Sequence, residues 1–153
     1  MADSITFSLY PIGFIRSSLK LRADAPKFGN EGAPDAWLEV SQAVAEGLQG
    51  IAVGDEIILL TWFHKSRRDI LKLHPRWDKS LPLTGVFATR SPDRPNPIGL
   101  HRVTVLEIAG SQLKVGPLEA IDGTPVVDIK LVVARSGDQI CGTGFVGIPD
   151  ADS

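Results

Sequence analysis

Arg90, Ser91, Arg94 and Asn96 stand close together in the run Gly85-Val-Phe-Ala-Thr-Arg-Ser-Pro-Asp-Arg-Pro-Asn-Pro-Ile-Gly-Leu100. An arginine offers planar donors to a carboxylate or phosphate, and an asparagine pairs with an adenine edge or a carbamoyl group. Pro92, Pro95 and Pro97 each fix a φ angle and push the residue before them towards extended geometry, so the loop loses little conformational entropy on ordering. The donors therefore sit on a stiff frame. The same run also fits a proline-stiffened corner whose arginines face water, and residue types alone leave both readings open.

A second group, Asp122, Asp128 and Lys130, surrounds an Asp-Gly turn. Asp122-Gly123 suits a tight turn, and Asp128 with Lys130 on one strand face suits an exposed ion pair as well as a functional pair. His64 and Lys65 close the most apolar stretch of the chain and would be delivered at its exit. Cys141 is the single cysteine, which excludes an internal disulfide and fits a small buried thiol; neither it nor the three histidines shows metal-ligand spacing, so no metal site is expected. No Ser/His/Asp triad motif or phosphate-binding loop is present. Gly142-Thr143-Gly144 is not followed by a helical pattern, which argues against a Rossmann dinucleotide site.

The elements that must position these groups read as strands. Residues 7–17 alternate partially and are broken by Pro11 and Gly13, predicting an edge strand, and residues 19–35 are a long loop or lid. Residues 36–40 form a short strand, and Ser41 caps a brief helix running to residue 49. Residues 56–64 are a central strand. Residues 66–83 are a loop with one short strand near 71–74. Residues 85–89 begin the arginine run as a strand, because Val86, Phe87 and Thr89 suit a pleated surface. Residues 101–109 alternate Val103, Val105 and Glu107 against Thr104, Leu106 and Ile108. They pair through Gly110-Ser111 with residues 112–116 as a hairpin. Residues 126–130 put Asp128 and Lys130 on one face, residues 131–148 add one or two glycine-rich strands, and the last few residues are expected to be disordered. Seven or eight strands with one short helix and long loops predict a mainly β protein, a single closed or partly closed β-barrel.

The chain has 153 residues, which fits one domain, and 22% charged residues, ordinary for a globular protein. Its net charge of −2 hides an asymmetry: residues 65–102 hold nine basic against three acidic side chains. That segment suits an anionic partner at one place, or simply a solvated basic face. No apolar run reaches the roughly 18 residues needed to span a bilayer, and no signal pattern opens the chain, so it reads as cytoplasmic with no membrane partner.

The run Gly85 to Gly99, with Asp122-Gly-Thr-Pro-Val-Val-Asp-Ile-Lys130 and Ile12-Gly-Phe-Ile-Arg-Ser17, strongly resembles the TrmO (TsaA-like, YaeB) family across residues 8–135. The resemblance implies a β-barrel that binds S-adenosylmethionine outside the Rossmann architecture, as a homodimer, and transfers a methyl group to N6 of threonylcarbamoyladenosine beside the anticodon of a tRNA; no DNA partner is implied. It places the cofactor against His64, Lys65, Arg90, Leu100 and the turn Glu119, Ala120, Ile121 and Asp122, with Pro26, Lys27 and Phe28 closing over it. Asn96, Asp128 and Lys130 are then the candidate catalytic groups, orienting the acceptor or handling its proton. Alternative readings keep the cofactor but with a small-molecule acceptor, or with no transfer at all; a further one is a plain RNA-binding barrel. One departure is Leu131-Val132, where the family usually has Pro-Tyr, an aromatic suited to stacking on a base.

Overall fold

The computed structural model describes residues 5–26, 32–75 and 78–133. Lys27, Phe28, Cys141 and the strands expected within 134–148 lie outside those residues. Among the described residues there are eight strands, β1 (Gly13–Arg16), β2 (Ala36–Val40), β3 (Glu56–Trp62), β4 (Lys72–Leu73), β5 (Thr84–Gly85), β6 (Ile98–Ala109), β7 (Gln112–Gly116) and β8 (Pro125–Leu131). Six of them close a barrel in the order β1-β2-β7-β6-β3-β8, and β4 pairs with β5 in a separate two-stranded ribbon. All neighbouring pairs in the barrel are antiparallel.

Alternation decides which side chains fill the interior. Ile15, Leu38, Ile57, Leu59, Val105, Leu113, Val115 and Val126 all point inward with no exposed surface. Each such aliphatic side chain contributes roughly 1.5–3 kcal/mol when buried. In β3 the intervening Ile58, Leu60 and Trp62 face outward and are only half-buried. The 101–109 alternation holds through Val103 and Val105 and then fails, because a register shift between Val105 and Glu107 leaves residues 106–109 exposed.

Several expectations are corrected. β1 is not an edge strand: it pairs with β2 on one side and β8 on the other, since the sheet closes. Only Thr84 and Gly85 of the 85–89 region are extended as strand, and Val86–Ala88 coil into a 3-10 turn. The β-prone side chains lose because no barrel strand is left to pair with them, and the Val86 carbonyl is taken locally by the Thr89 amide, the Thr89 hydroxyl and the Arg94 guanidinium. The helix over 41–49 is a 3-10 helix, Gln42–Leu48, capped by the Ser41 hydroxyl at the Ala43 amide. It is short and contains Gly47, so it lacks the length and propensity for α geometry. β6 starts earlier than expected, at Ile98, which pairs with Trp62.

Antiparallel order puts the strand connections at two ends. Residues 17–35, 63–97 and 117–124 join strands at one end, here called the mouth. Residues 41–55 and the turn at 110–111 join them at the other, where Val44, Leu48 and Ile51 pack on the core as a plug.

Candidate functional site

The proline-rich loop is held from inside by its own arginine. Arg94 donates from Nε to the Ser91 carbonyl at 2.8 Å and from Nη2 to the carbonyls of Val86 and Thr89 at 2.9 and 2.5 Å. Asp93 is 5% exposed and accepts the Arg67 amide at 2.9 Å. Arg68 stacks 5.1 Å above the Trp62 ring and donates to the Pro95 carbonyl and to Asn96 Oδ1. Arg94, read from sequence as a presented donor, is therefore spent on loop carbonyls. Arg90 is different: one Nη2 contact to the Leu100 carbonyl at 3.3 Å is its hydrogen bond among the described residues, and no ion pair engages it there.

Leu100 and His101 are successive residues of β6, and they divide the site between them. Leu100 faces outward beside Arg90 and is 46% exposed. His101 faces inward, where Nδ1 lies 2.5 Å from Glu119 Oε1 and Nε2 lies 2.7 Å from Thr61 Oγ1. A chain of contacts thus runs from Arg90 through the Leu100 carbonyl and the next residue, His101, to Glu119. His101 and Thr61 escape the sequence reading, because a histidine and a threonine in alternating strands carry no pattern beyond inward parity.

The 117–124 connection continues from Glu119 through buried Ala120 to Asp122. There the Asp122 carboxylate accepts the Ser17 amide at 2.9 Å and meets Lys20 Nζ at 3.2 Å. The Asp122 amide in turn donates to the Leu19 carbonyl. Chiefly the Ser17 amide, assisted by Lys20, holds the Asp122 carboxyl below its ordinary pKa. Asp122 therefore ties the 17–35 connection to the 117–124 connection. Beside it a groove of about 410 Å³, lined by Arg16, Ser17, Lys20, Asp35, Trp37 and Asp122, opens onto the outer face of β1 and β2. Trp37 is a third residue the sequence reading passed over; an outward tryptophan on a short strand is its one signal.

His64 and Lys65 leave β3 at the mouth, as expected, and Pro26 lies in the 17–35 connection. The three catalytic candidates are not gathered at one point. Asn96 is engaged by Arg68 on the loop. Asp128 and Lys130 face outward on β8 and pair with each other at 3.4 Å. Among the described residues no hydrogen bond or ion pair joins Asn96 to either. Register does align Asp128 with Leu60, and Leu60 with Leu100, in one row across β8, β3 and β6. That spacing is about 10 Å. Among the described residues no His/Cys/Asp/Glu cluster could hold a metal ion, and no helix is long and apolar enough to cross a membrane.

Residues 14–137 match the family described as the tRNA-methyltransferase O N-terminal domain. A probable S-adenosyl-L-methionine-binding protein of Methanocaldococcus jannaschii is 47% identical over 98 residues, 61% of this chain and 78% of that protein. An S-adenosyl-L-methionine-binding protein of Archaeoglobus fulgidus is 43% identical over 122 residues, covering 80% of this chain and 86% of its own. The crystal structure of TrmO from Pseudomonas aeruginosa superposes with a TM-score of 0.67 at 30% identity over 95% of this chain, and the chain spans 66% of that crystal chain's length. With a family match across most of its length and a shared barrel, the chain belongs to the tRNA-methyltransferase O (TrmO) N-terminal domain family.

Proposed function

We propose that this protein is an S-adenosylmethionine-dependent methyltransferase whose acceptor is a tRNA, the methyl group going to N6 of threonylcarbamoyladenosine next to the anticodon. The observation that carries the reading is the chain of contacts that links Arg90 to Glu119 through Leu100 and His101 near the mouth, with Asp122 on the same connection as Glu119. A ligand with an adenine, a ribose and an amino-acid end needs an apolar surface, a cation for its carboxylate and acceptors for its hydroxyls and ammonium. Leu100, Arg90, Glu119 and Asp122 are those groups, so the residues present fit it. His64, Lys65, Ala120 and Ile121 complete the proposed lining.

When bound, S-adenosylmethionine supplies a methyl group already activated by its sulfonium. What remains for the protein is to align the acceptor nitrogen and exclude water. We assign that orientation to Asn96, Asp128 and Lys130; the row Asp128–Leu60–Leu100 supports Asp128 lying on the same outer face as the cofactor residue Leu100. Lys65, Lys72 and Lys79 have no ion-pair partner among the described residues and would meet phosphates, whereas Arg67 is paired with Asp69 and Arg102 with Glu56. A homodimer would cover the half-exposed Ile98 and Leu100, 43% and 46% exposed; a single-chain mass by light scattering would remove that part of the proposal. A tRNA acceptor places the reaction in the cytoplasm.

The deciding experiment is transfer of labelled methyl from S-adenosylmethionine to bulk tRNA, followed by nucleoside mass spectrometry. Label in N6-methylated threonylcarbamoyladenosine is the expected result. A second reading, a cofactor-binding protein acting on a small molecule or on none, is favoured by the names of the archaeal relatives, which specify binding alone. Label absent from tRNA but present in a metabolite extract, or no transfer despite cofactor binding, would establish that reading instead.

A further inference from the structure

A buried imidazole links two barrel strands to the connection that crosses the mouth. Thr61 on β3 and His101 on β6 are 0% and 3% exposed. Burying such groups is costly unless each finds a partner. Here each does: Thr61 Oγ1 is 2.7 Å from His101 Nε2, and Glu119 Oε1 is 2.5 Å from His101 Nδ1. A carboxylate accepts, so the network assigns the ring proton to Nδ1 and leaves Nε2 to accept from the Thr61 hydroxyl. Phe63 stands edge-on to the imidazole, with centroids 5.7 Å apart and planes at 88°. The room for this arrangement comes from Gly99, where a Cβ would lie 2.4 Å from both Thr61 Oγ1 and Phe63 Cζ.

Only one oxygen of Glu119 enters the network. Oε2 has no hydrogen-bond partner among the described residues. Its side chain is 16% exposed. The carboxylate is therefore gripped through Oε1 and partly exposed on the connection that crosses the mouth.

We infer that Thr61 and His101 are positioning residues: they orient Glu119 so that Oε2 accepts from the cationic end of the ligand held at the mouth. This rests on the methyl-donor reading above. Glu119 is the group that touches the ligand; His101 acts through it, and Thr61 through His101. Two substitutions separate this role from simple packing. In His101→Asn the amide nitrogen takes the place of Nδ1 and still donates to Glu119. In His101→Gln the longer side chain carries the amide to the Nε2 position, towards Thr61, and leaves Glu119 without its anchor.

The experiment is calorimetric titration of the full chain with S-adenosylmethionine, beside thermal unfolding of the same samples. Both variants are expected to unfold at similarly lowered temperatures, with His101→Asn binding within about threefold of wild type and His101→Gln weaker by roughly tenfold or more, the size of a lost bond to a charged group. Equal affinities in the two variants, whether both retained or both reduced, would overturn the inference. Should neither variant fold, Glu119→Gln at its part-exposed position decides: roughly tenfold weaker binding at an unchanged unfolding temperature supports the role, and unchanged affinity overturns it. A wild-type protein giving no binding heat would instead overturn the methyl-donor reading, and this inference with it.

Discussion

At the plug end, Val44, Leu48 and Ile51 close the barrel with apolar contacts, whereas at the mouth the buried residues include Ser17, Thr61, Asp93, His101 and Thr124. Every buried polar residue among those described belongs to the mouth or to a connection crossing it. Burial of polar groups weakens a fold unless they are fully bonded, whereas apolar burial strengthens it wherever the side chain fits. The plug end thus carries stability, and the mouth carries a preorganised set of donors and acceptors. Their grooves differ in the same sense. The one at the plug, about 490 Å³, is lined by Val44, Leu48, Ile51, Ile129 and Leu131 with Asp128 as its charged residue, while the one beside the mouth holds Arg16, Lys20, Asp35 and Asp122.

The hardest challenge to this division is Gly99→Ala, which drives a methyl group into Thr61 and Phe63. It is expected to cost about 3 kcal/mol of unfolding free energy, the upper end for overpacking, and to abolish cofactor binding as well. Binding that survives the full destabilisation, read by urea unfolding beside calorimetry, would reduce the mouth network to architecture. Leu48→Ala should act oppositely, costing about 2 kcal/mol because the side chain is only partly buried, with cofactor affinity within about twofold of wild type. Arg90→Ala should weaken cofactor binding by roughly tenfold, or about 1.4 kcal/mol, and leave the unfolding midpoint in place. An affinity unchanged in that variant would remove Arg90 from the site.

The smallest expected effect is one of pH. Asp122 has a depressed pKa in the folded state, so its contribution to stability is complete above the ordinary carboxylate range and fades as pH falls through the lowered value. Asp122→Asn should therefore unfold with a weaker dependence on acid than wild type. Identical acid profiles in urea would show that Asp122 does not tie the two connections together.

Much of the barrel was legible because period-two alternation is a local property. Residues 36–40 and 112–116 read as strands from their own side chains, the strand expected over 56–64 ends at Trp62, and Asp128 and Lys130 read as sharing a face. Val86–Ala88 did not read correctly, because what decides them is the absence of a strand to pair with and the arrival of Arg94 from eight residues on. The candidate site divides likewise. Arg90, Glu119 and Asp122 were proposed through motif likeness, and they lie on connections at the mouth. His101 and Thr61 acquire meaning only from a contact across forty residues of sequence. Arg94 and Arg90 look alike in the sequence, and only the carbonyls around each tell them apart, three engaging Arg94 and one Arg90.

Closure of the sheet sets how this protein can meet another copy of itself. β1 is paired on both sides, so among the described residues the barrel offers no free strand edge along which a second chain could extend the sheet. Self-association through the barrel must then proceed by side chains packing face to face, which confines it to outward rows such as Ile58, Leu60, Leu100 and Ile98 and disfavours growth into fibrous polymers.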